Sequence, residues 1–164
     1  WESKVLWTVL DLYAGTGTIG MIFSDIAKKV ISVELVEEAS KNGNQIARKN
    51  WVRNMEFINA KVEDFLHAYL WDESPITERA PGKADLLIID PPRAGMHPKA
   101  LPNIVKFWTH QIIYVSCNPA TLWRDLEYIL ANSSYGIEKV QAVDMFPHTH
   151  HIETVVSLIQ KPSV

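Results

Sequence analysis

Val5-Leu6-Trp7-Thr8-Val9-Leu10-Asp11-Leu12-Tyr13-Ala14-Gly15-Thr16-Gly17-Thr18-Ile19-Gly20 decides how the rest of the chain is read. Its first nine residues are apolar and rich in β-branched side chains, the composition of a buried strand. The run breaks at Ala14-Gly15-Thr16-Gly17, and a helical pattern follows over residues 18–27, with Ile19, Ile22, Phe23 and Ile26 on one face. Gly15, Gly17 and Gly20 have G-x-G-x-x-G spacing between a strand and a helix. Glycines there let the backbone approach a ligand, and the helix start supplies free N–H groups. The spacing alone serves both dinucleotides and S-adenosylmethionine.

Glu34 closes the next apolar run, residues 30–34, where it can accept hydrogen bonds from the ribose hydroxyls of either cofactor. Two other features tilt the choice: a second carboxylate, and a chain end of two helix-free strands that departs from the symmetrical dinucleotide fold. Asp11 lies in the first strand, four residues before Gly15. A negative charge there is awkward for a pyrophosphate but suits the cationic amino and sulfonium groups of S-adenosylmethionine, which is the cofactor expected.

The alternation continues outward. Helices are predicted over residues 37–50, 62–70, 98–108 and 121–131, and strands over 55–59, 84–90 and 111–115. Residues 71–83, with Pro75, Pro81 and Gly82, read as a surface loop. Residues 137–143 and 151–160 finish the chain as two strands with no helix between them, hence antiparallel to each other. The pattern predicts an α/β fold: a doubly wound, Rossmann-like sheet of seven strands, mostly parallel with an antiparallel last strand.

Composition narrows the function. The 164 residues make one domain, 47% hydrophobic and 21% charged, with no apolar run long enough for a membrane span. One cysteine excludes a disulfide within the chain and a cysteine-rich metal site. A thiol nucleophile suits a reducing, cytoplasmic setting. The net charge of −3 argues against a self-sufficient nucleic-acid binder. Trp1 is not a natural start, so the chain is expected to be an excised catalytic domain, spanning residues 1–164 and monomeric.

The chemistry concentrates at strand ends. Cys117, in Ser116-Cys117-Asn118-Pro119, follows the apolar run 111–115, where open α/β sheets place their reacting groups. Asp90 closes the fourth strand, and Pro91 and Pro92 stiffen the loop behind it. Enzymes that methylate exocyclic amino groups carry a similar (Asp/Asn)-Pro-Pro followed by an aromatic residue. Arg93 stands there instead, suited to a phosphate or a uracil carbonyl. Asn118 and Pro119 either meet the substrate or cap the following helix.

Asp11-Leu12-Tyr13-Ala14-Gly15-Thr16-Gly17, Asp90-Pro91-Pro92-Arg93-Ala94-Gly95, Ser116-Cys117-Asn118-Pro119-Ala120-Thr121-Leu122 with Arg124-Asp125-Leu126, and Phe146-Pro147-His148-Thr149-His150-His151-Ile152-Glu153 occur in order. Together they resemble the motifs of the RNA (uracil-5-)-methyltransferase family, whose members make 5-methyluridine in transfer or ribosomal RNA. The resemblance implies Cys117 as the nucleophile, Glu153 as the general base and Asp90 as a catalytic residue that positions the uracil or the loop. It implies a cofactor site of Asp11, Tyr13, Gly15, Gly17, Glu34 and Asp90, with Arg93 and Asn118 beside the RNA substrate. Family members also carry an N-terminal RNA-binding part, which is expected to lie outside these residues.

Uracil carbon 5 is a poor nucleophile until a thiolate adds to carbon 6, which explains the need for such a cysteine. A base must then remove the carbon 5 proton before the thiol leaves. RNA cytosine-5 methylation uses the same adduct but usually brings a second cysteine in the fourth-strand loop, absent here. A non-catalytic cofactor- or RNA-binding module is the reading from another class. His148, His150 and His151 suggest hydrogen bonding to RNA or packing near Glu153, since strand alternation splits them between two faces and no metal site is expected. Trp51, Trp71, Trp108 and Trp123 read as packing residues, not base-stacking platforms.

Overall fold

A computed structural model of the protein describes residues 6–71, 83–145, 147–149 and 151–161. Strands β1 (Leu6–Leu12), β2 (Ala27–Glu34), β3 (Met55–Asn59), β4 (Leu86–Ile89), β5 (Gln111–Ser116), β6 (Tyr135–Val143) and β7 (Glu153–Gln160) form one sheet. Helices α1 (Thr18–Ile22), α2 (Glu37–Lys49), α3 (Val62–Trp71), α4 (Leu101–Lys106) and α5 (Pro119–Asn132) connect the parallel strands. The sheet order is β3-β2-β1-β4-β5-β7-β6. Neighbours from β3 to β5 are parallel, and β7 is antiparallel to both β5 and β6. The expected doubly wound sheet is therefore the observed one. No helix among the described residues is long and apolar enough to cross a membrane.

Strand alternation divides the core in two. Leu10, Leu12, Ile31, Val33, Leu87 and Ile89 face α3, α4 and α5 in the larger cluster. Val9, Val30, Leu86 and Ile88 face the other way, with Ile19 and Phe23 packed against them. All four residues of β4 are buried, as a central parallel strand covered on both faces requires.

The first helix is shorter than its periodicity predicts. It ends at Ile22, and turns lead into β2, which already pairs at Leu6↔Ala27. Strand pairing and the Asn54 side chain, which donates to Ser24 O and Ala27 O at 2.8 Å, hold this segment out of helix. Ile22 and Ile26 consequently point to solvent. Helix α4 begins three residues later than expected because Pro102 lacks an N–H and is tolerated only in the first turn. It ends before Trp108, which bridges to Lys83. Helix α5 begins earlier, at Pro119, with Asn118 as its cap. Of the surface loop expected over 71–83, residues 72–82 lie outside the described residues.

The tryptophans divide on the packing expectation. Trp51 and Trp123 are 79% and 63% exposed, whereas Trp108, 44% exposed, packs edge-on against His110, and Lys106 lies over the ring of the largely exposed Trp71.

Candidate active site

The glycine turn is built from the sheet upward. Gly17 adopts φ 76°, a left-handed conformation that favours glycine, and a Cβ there would meet Met55 and Phe57 side-chain carbons at 2.6–2.7 Å. Tyr13 also holds a positive φ of 60°. That conformation aims its ring into the cleft beyond the sheet, where its hydroxyl accepts from His97 N at 3.4 Å. Burial is the main reason the Tyr13 phenol is pushed up to about 12.

Glu34 closes the turn. Its carboxylate accepts from Gly15 N and from Val36 N, each at 2.7 Å. The group thus ties β1's exit to β2's exit and stands at the mouth of a cleft of about 730 Å³. Tyr13, Glu34, Val62, Asp90, Met96 and Arg124 are among the residues lining it.

Asp11 does not line that cleft. It is 1% exposed beneath the turn, where Oδ2 accepts from Gly20 N at 3.1 Å and from Ser32 Oγ at 3.4 Å. Burial raises its carboxyl to about 7, the Gly20 N–H opposes the rise, and Asp90 and Glu34 add to it. The expectation that Asp11 faces a cofactor cation is therefore corrected: strand alternation points it under α1, where it props the turn. Gly15 and Gly17 likewise shape the site without lining the cleft.

A second depression, about 440 Å³, opens at the C-terminal edge of the same sheet. Cys117, Glu153 and Asp90 line it, on apolar walls of Ile19, Val115, Val143, Met145 and Val155. Register explains the meeting. Ser116 pairs with Thr154, so Cys117 and Glu153 each lie one residue beyond that pair, on the same face as Val115 and Val155. Asp90 borders both cavities. Its carboxyl is raised first by burial and then by the charge of Glu153. Cys117 is a free, partly exposed thiol.

The loops are locked by groups to which the sequence assigns no locking role. Asp125 is fully buried, and its Oδ2 accepts from Tyr114 Oη at 2.6 Å and Met96 N at 2.8 Å. Arg124 binds the other oxygen through Nε and Nη2 at 2.9 and 2.7 Å, and donates to Ala94 O and Met96 O. Gly95 (φ 79°) lies so close that a Cβ would be 2.6 Å from Arg124 Nη2. Asn118 Oδ1 caps α5 through Ala120 N, and its Nδ2 holds Arg93 O at 3.1 Å. Its side chain thus ties the cysteine loop to the Asp90 loop. Arg93 itself is exposed and lines neither cavity.

Arg124-Asp125-Leu126 stands among the motif strings that carry the family resemblance, but the string by itself does not show that Asp125 is buried or that it binds the loops. His148 is exposed with φ 70°, His151 is partly buried, and His150 lies outside the described residues. Among the described residues, no three His, Cys, Asp or Glu side chains converge on a metal-sized site.

Known proteins share the fold. An RNA methyltransferase of Clostridium tetani, itself uncharacterised, is 46% identical over 163 residues, covering 99% of this chain and 33% of the relative. The chain thus spans about a third of the length of the curated relatives it matches. The tRNA (uracil-54, C5)-methyltransferase of Pyrococcus abyssi, solved with S-adenosyl-L-homocysteine, superposes with a TM-score of 0.76 at 31% identity, over 96% of this chain and 36% of that one. An rRNA methylase from Streptococcus thermophilus shares the fold, with a TM-score of 0.73 at 15% identity, over 98% of this chain and 92% of that one. The family model described as tRNA (Uracil-5-)-methyltransferase matches residues 3–161, a span that takes in the glycine turn, the Asp90 loop, the cysteine loop and Glu153; the chain belongs to that family.

Proposed function

We propose that this chain is the catalytic domain of an RNA (uracil-5-)-methyltransferase, which uses S-adenosylmethionine to convert a uridine of transfer or ribosomal RNA to 5-methyluridine. One observation carries the reading: Cys117 and Glu153 share a depression with Asp90, and Asp90 also borders the cofactor-sized cleft. A thiol, a base and a methyl donor would thus meet at one carboxylate.

The cleft fits the cofactor. A carboxylate offers about four acceptor sites, and Glu34 spends two on backbone N–H groups, which leaves capacity for ribose hydroxyls. Leu35, Val36, Val62 and Met96 supply apolar walls for a flat base. Tyr13 and Asp90 line the same cleft, Asp90 where it adjoins the thiol. When bound, S-adenosylmethionine supplies an electrophilic methyl group to carbon 5 of the uracil.

The protein's own groups do the rest. The Cys117 thiolate adds to carbon 6, and the ring electrons shift to make carbon 5 nucleophilic. Asp90, on the border between the thiol's depression and the cleft, would position the uracil or the cysteine loop. Once carbon 5 is methylated, Glu153 removes its proton, the ring double bond re-forms and the carbon 6–sulfur bond breaks. The target base must leave the RNA stack to reach this depression. The remaining two thirds of a protein as long as these relatives would supply most of the grip on RNA.

The test separates the two halves of the reaction. Cys117→Ala should abolish both methylation and the covalent RNA adduct. Glu153→Gln should accumulate a methylated protein–RNA complex that survives denaturing electrophoresis. The wild type should do the same on 5-fluorouridine RNA, which has no proton to lose. Methylation of uridine by Cys117→Ala would refute the thiolate mechanism, and normal turnover by Glu153→Gln would place the base elsewhere.

A further inference from the structure

The end of the sheet opposite the thiol carries a second concentration of chemistry. Between residues 39 and 55 there is no Asp or Glu, yet Lys41, Arg48, Lys49 and Arg53 all fall there, in a chain of net charge −3. Lys41 pairs with Glu37. Among the described residues, neither Arg48 nor Arg53 has a carboxylate partner, and both are exposed. They line a cavity of about 430 Å³ with Asn44, Trp51, Val52 and Met55.

Trp51 is the centre of this surface. Among the described residues it is the most exposed large apolar side chain, at 79%. Helix α2 ends in a Schellman motif: Val52 N donates to Ala47 O at 2.9 Å and Trp51 N to Arg48 O at 3.2 Å. The residue after the cap in that motif is normally glycine, because its φ is left-handed. Here it is Trp51, at φ 62°. An unfavourable backbone conformation is thus held by a bulky residue that packs little of itself. Neither helix propensity nor burial accounts for a tryptophan there.

We propose that this surface is a second RNA-binding site, distinct from the catalytic depression, at which a base of a single-stranded segment stacks on Trp51. The flanking phosphates pair with Arg48 and Arg53. An exposed indole between unpaired guanidinium groups is the combination that single-stranded nucleic acid uses, the ring for a base face and the charges for the backbone. The site lies at the N-terminal end of β3, four strands from β5. That is roughly 20 Å across the sheet and roughly 17 Å along it from the thiol, a separation that one polynucleotide can bridge. The inference rests on the reading of the chain as an RNA-acting enzyme, and it adds where RNA is held away from the reacting uridine.

The experiment measures fluorescence anisotropy of fluorescein-labelled dodecauridylate with the full chain across a salt series. Trp51→Gly should weaken binding at least fivefold, whereas Trp51→Phe, which keeps a stacking ring, should lose less. Arg48→Gln with Arg53→Gln should reduce the slope of log K against log salt by about 1.4, the share of two single-strand phosphates. Trp51→Gly should melt no lower than the wild type and bind S-adenosylhomocysteine unchanged. Wild-type affinity and slope in these variants would overturn the proposal. So would a loss confined to the arginine variant and matched on heparin, which would mark a generic anion-binding patch. The covalent adduct on 5-fluorouridine RNA keeps the two readings apart. If it forms while Trp51→Gly binds normally, the surface fails and the reaction stands. If no adduct forms while Trp51→Gly loses affinity, the reaction fails and the surface stands.

Discussion

Replacing Asp125 by Ala should cost this small domain a large part of its stability, and the structure sets the size of the loss. Tyr114 and Met96 are 0% and 1% exposed, so the Tyr114 hydroxyl and the Met96 N–H would lose their acceptor with no water to replace it. Each stranded buried donor costs about 1–3 kcal/mol. Arg124 is half exposed and can turn to solvent, so its lost pairing adds little. The expected total is about 4 kcal/mol, in line with breaking a buried charged pair from one side. At ~2–4 °C per kcal/mol for a chain of this size, Tm should fall by roughly 8–16 °C. Urea denaturation followed by circular dichroism measures the difference directly. Asp125→Asn keeps an acceptor and should lose about half as much. The double variant with Tyr114→Phe should be less destabilised than the sum of its parts, because the hydroxyl that Asp125→Ala strands is then gone. A loss under about 1 kcal/mol for Asp125→Ala, or strict additivity with Tyr114→Phe, would refute the assignment of this carboxylate as the lock of the loops.

Glu34→Ala should weaken S-adenosylhomocysteine binding by about 1.5–3 kcal/mol, read by calorimetry, because a charged acceptor at the cleft mouth is lost. Asp11, raised from 3.8 to about 7, holds a proton in the native state that the unfolded chain releases earlier, so stability should fall as pH rises from 4 to 7. Asp11→Asn, neutral at every pH, should flatten that slope, with a gain of at most about 4 kcal/mol above pH 7; an unchanged slope would show that Asp11 ionises normally. Gly95→Ala, which combines a left-handed φ with a Cβ against Arg124 and Asp125, should destabilise by about 1–3 kcal/mol and lower cofactor affinity through the Asp90 loop. A melting temperature equal to wild type would show that the loop can shift freely.

What the sequence determined by itself was local. Apolar runs ending on Glu34, Asp90 and Ser116, each followed by turn chemistry and a helical pattern, were enough to read a parallel sheet with its chemistry at the strand ends, because hydrophobic period and turn residues act over a few residues. The glycine turn and the thiol were legible for the same reason. Only the tertiary structure decided that β7 inserts between β5 and β6, and that insertion carries Glu153 across more than thirty residues of chain to the side of Cys117. It also decided that Asp11 faces the underside of the turn, that Ile22 and Ile26 are exposed, and that Asp125 is buried at the junction of β5, α5 and the Asp90 loop. Each of these depends on which face of a strand or helix meets a partner distant in sequence. Register and packing settle that through contacts whose energies no local pattern contains. Trp51 shows the limit most plainly: in the sequence it is an aromatic residue after a helix, and only the fold leaves it in solvent with a left-handed backbone, between two unpaired arginines.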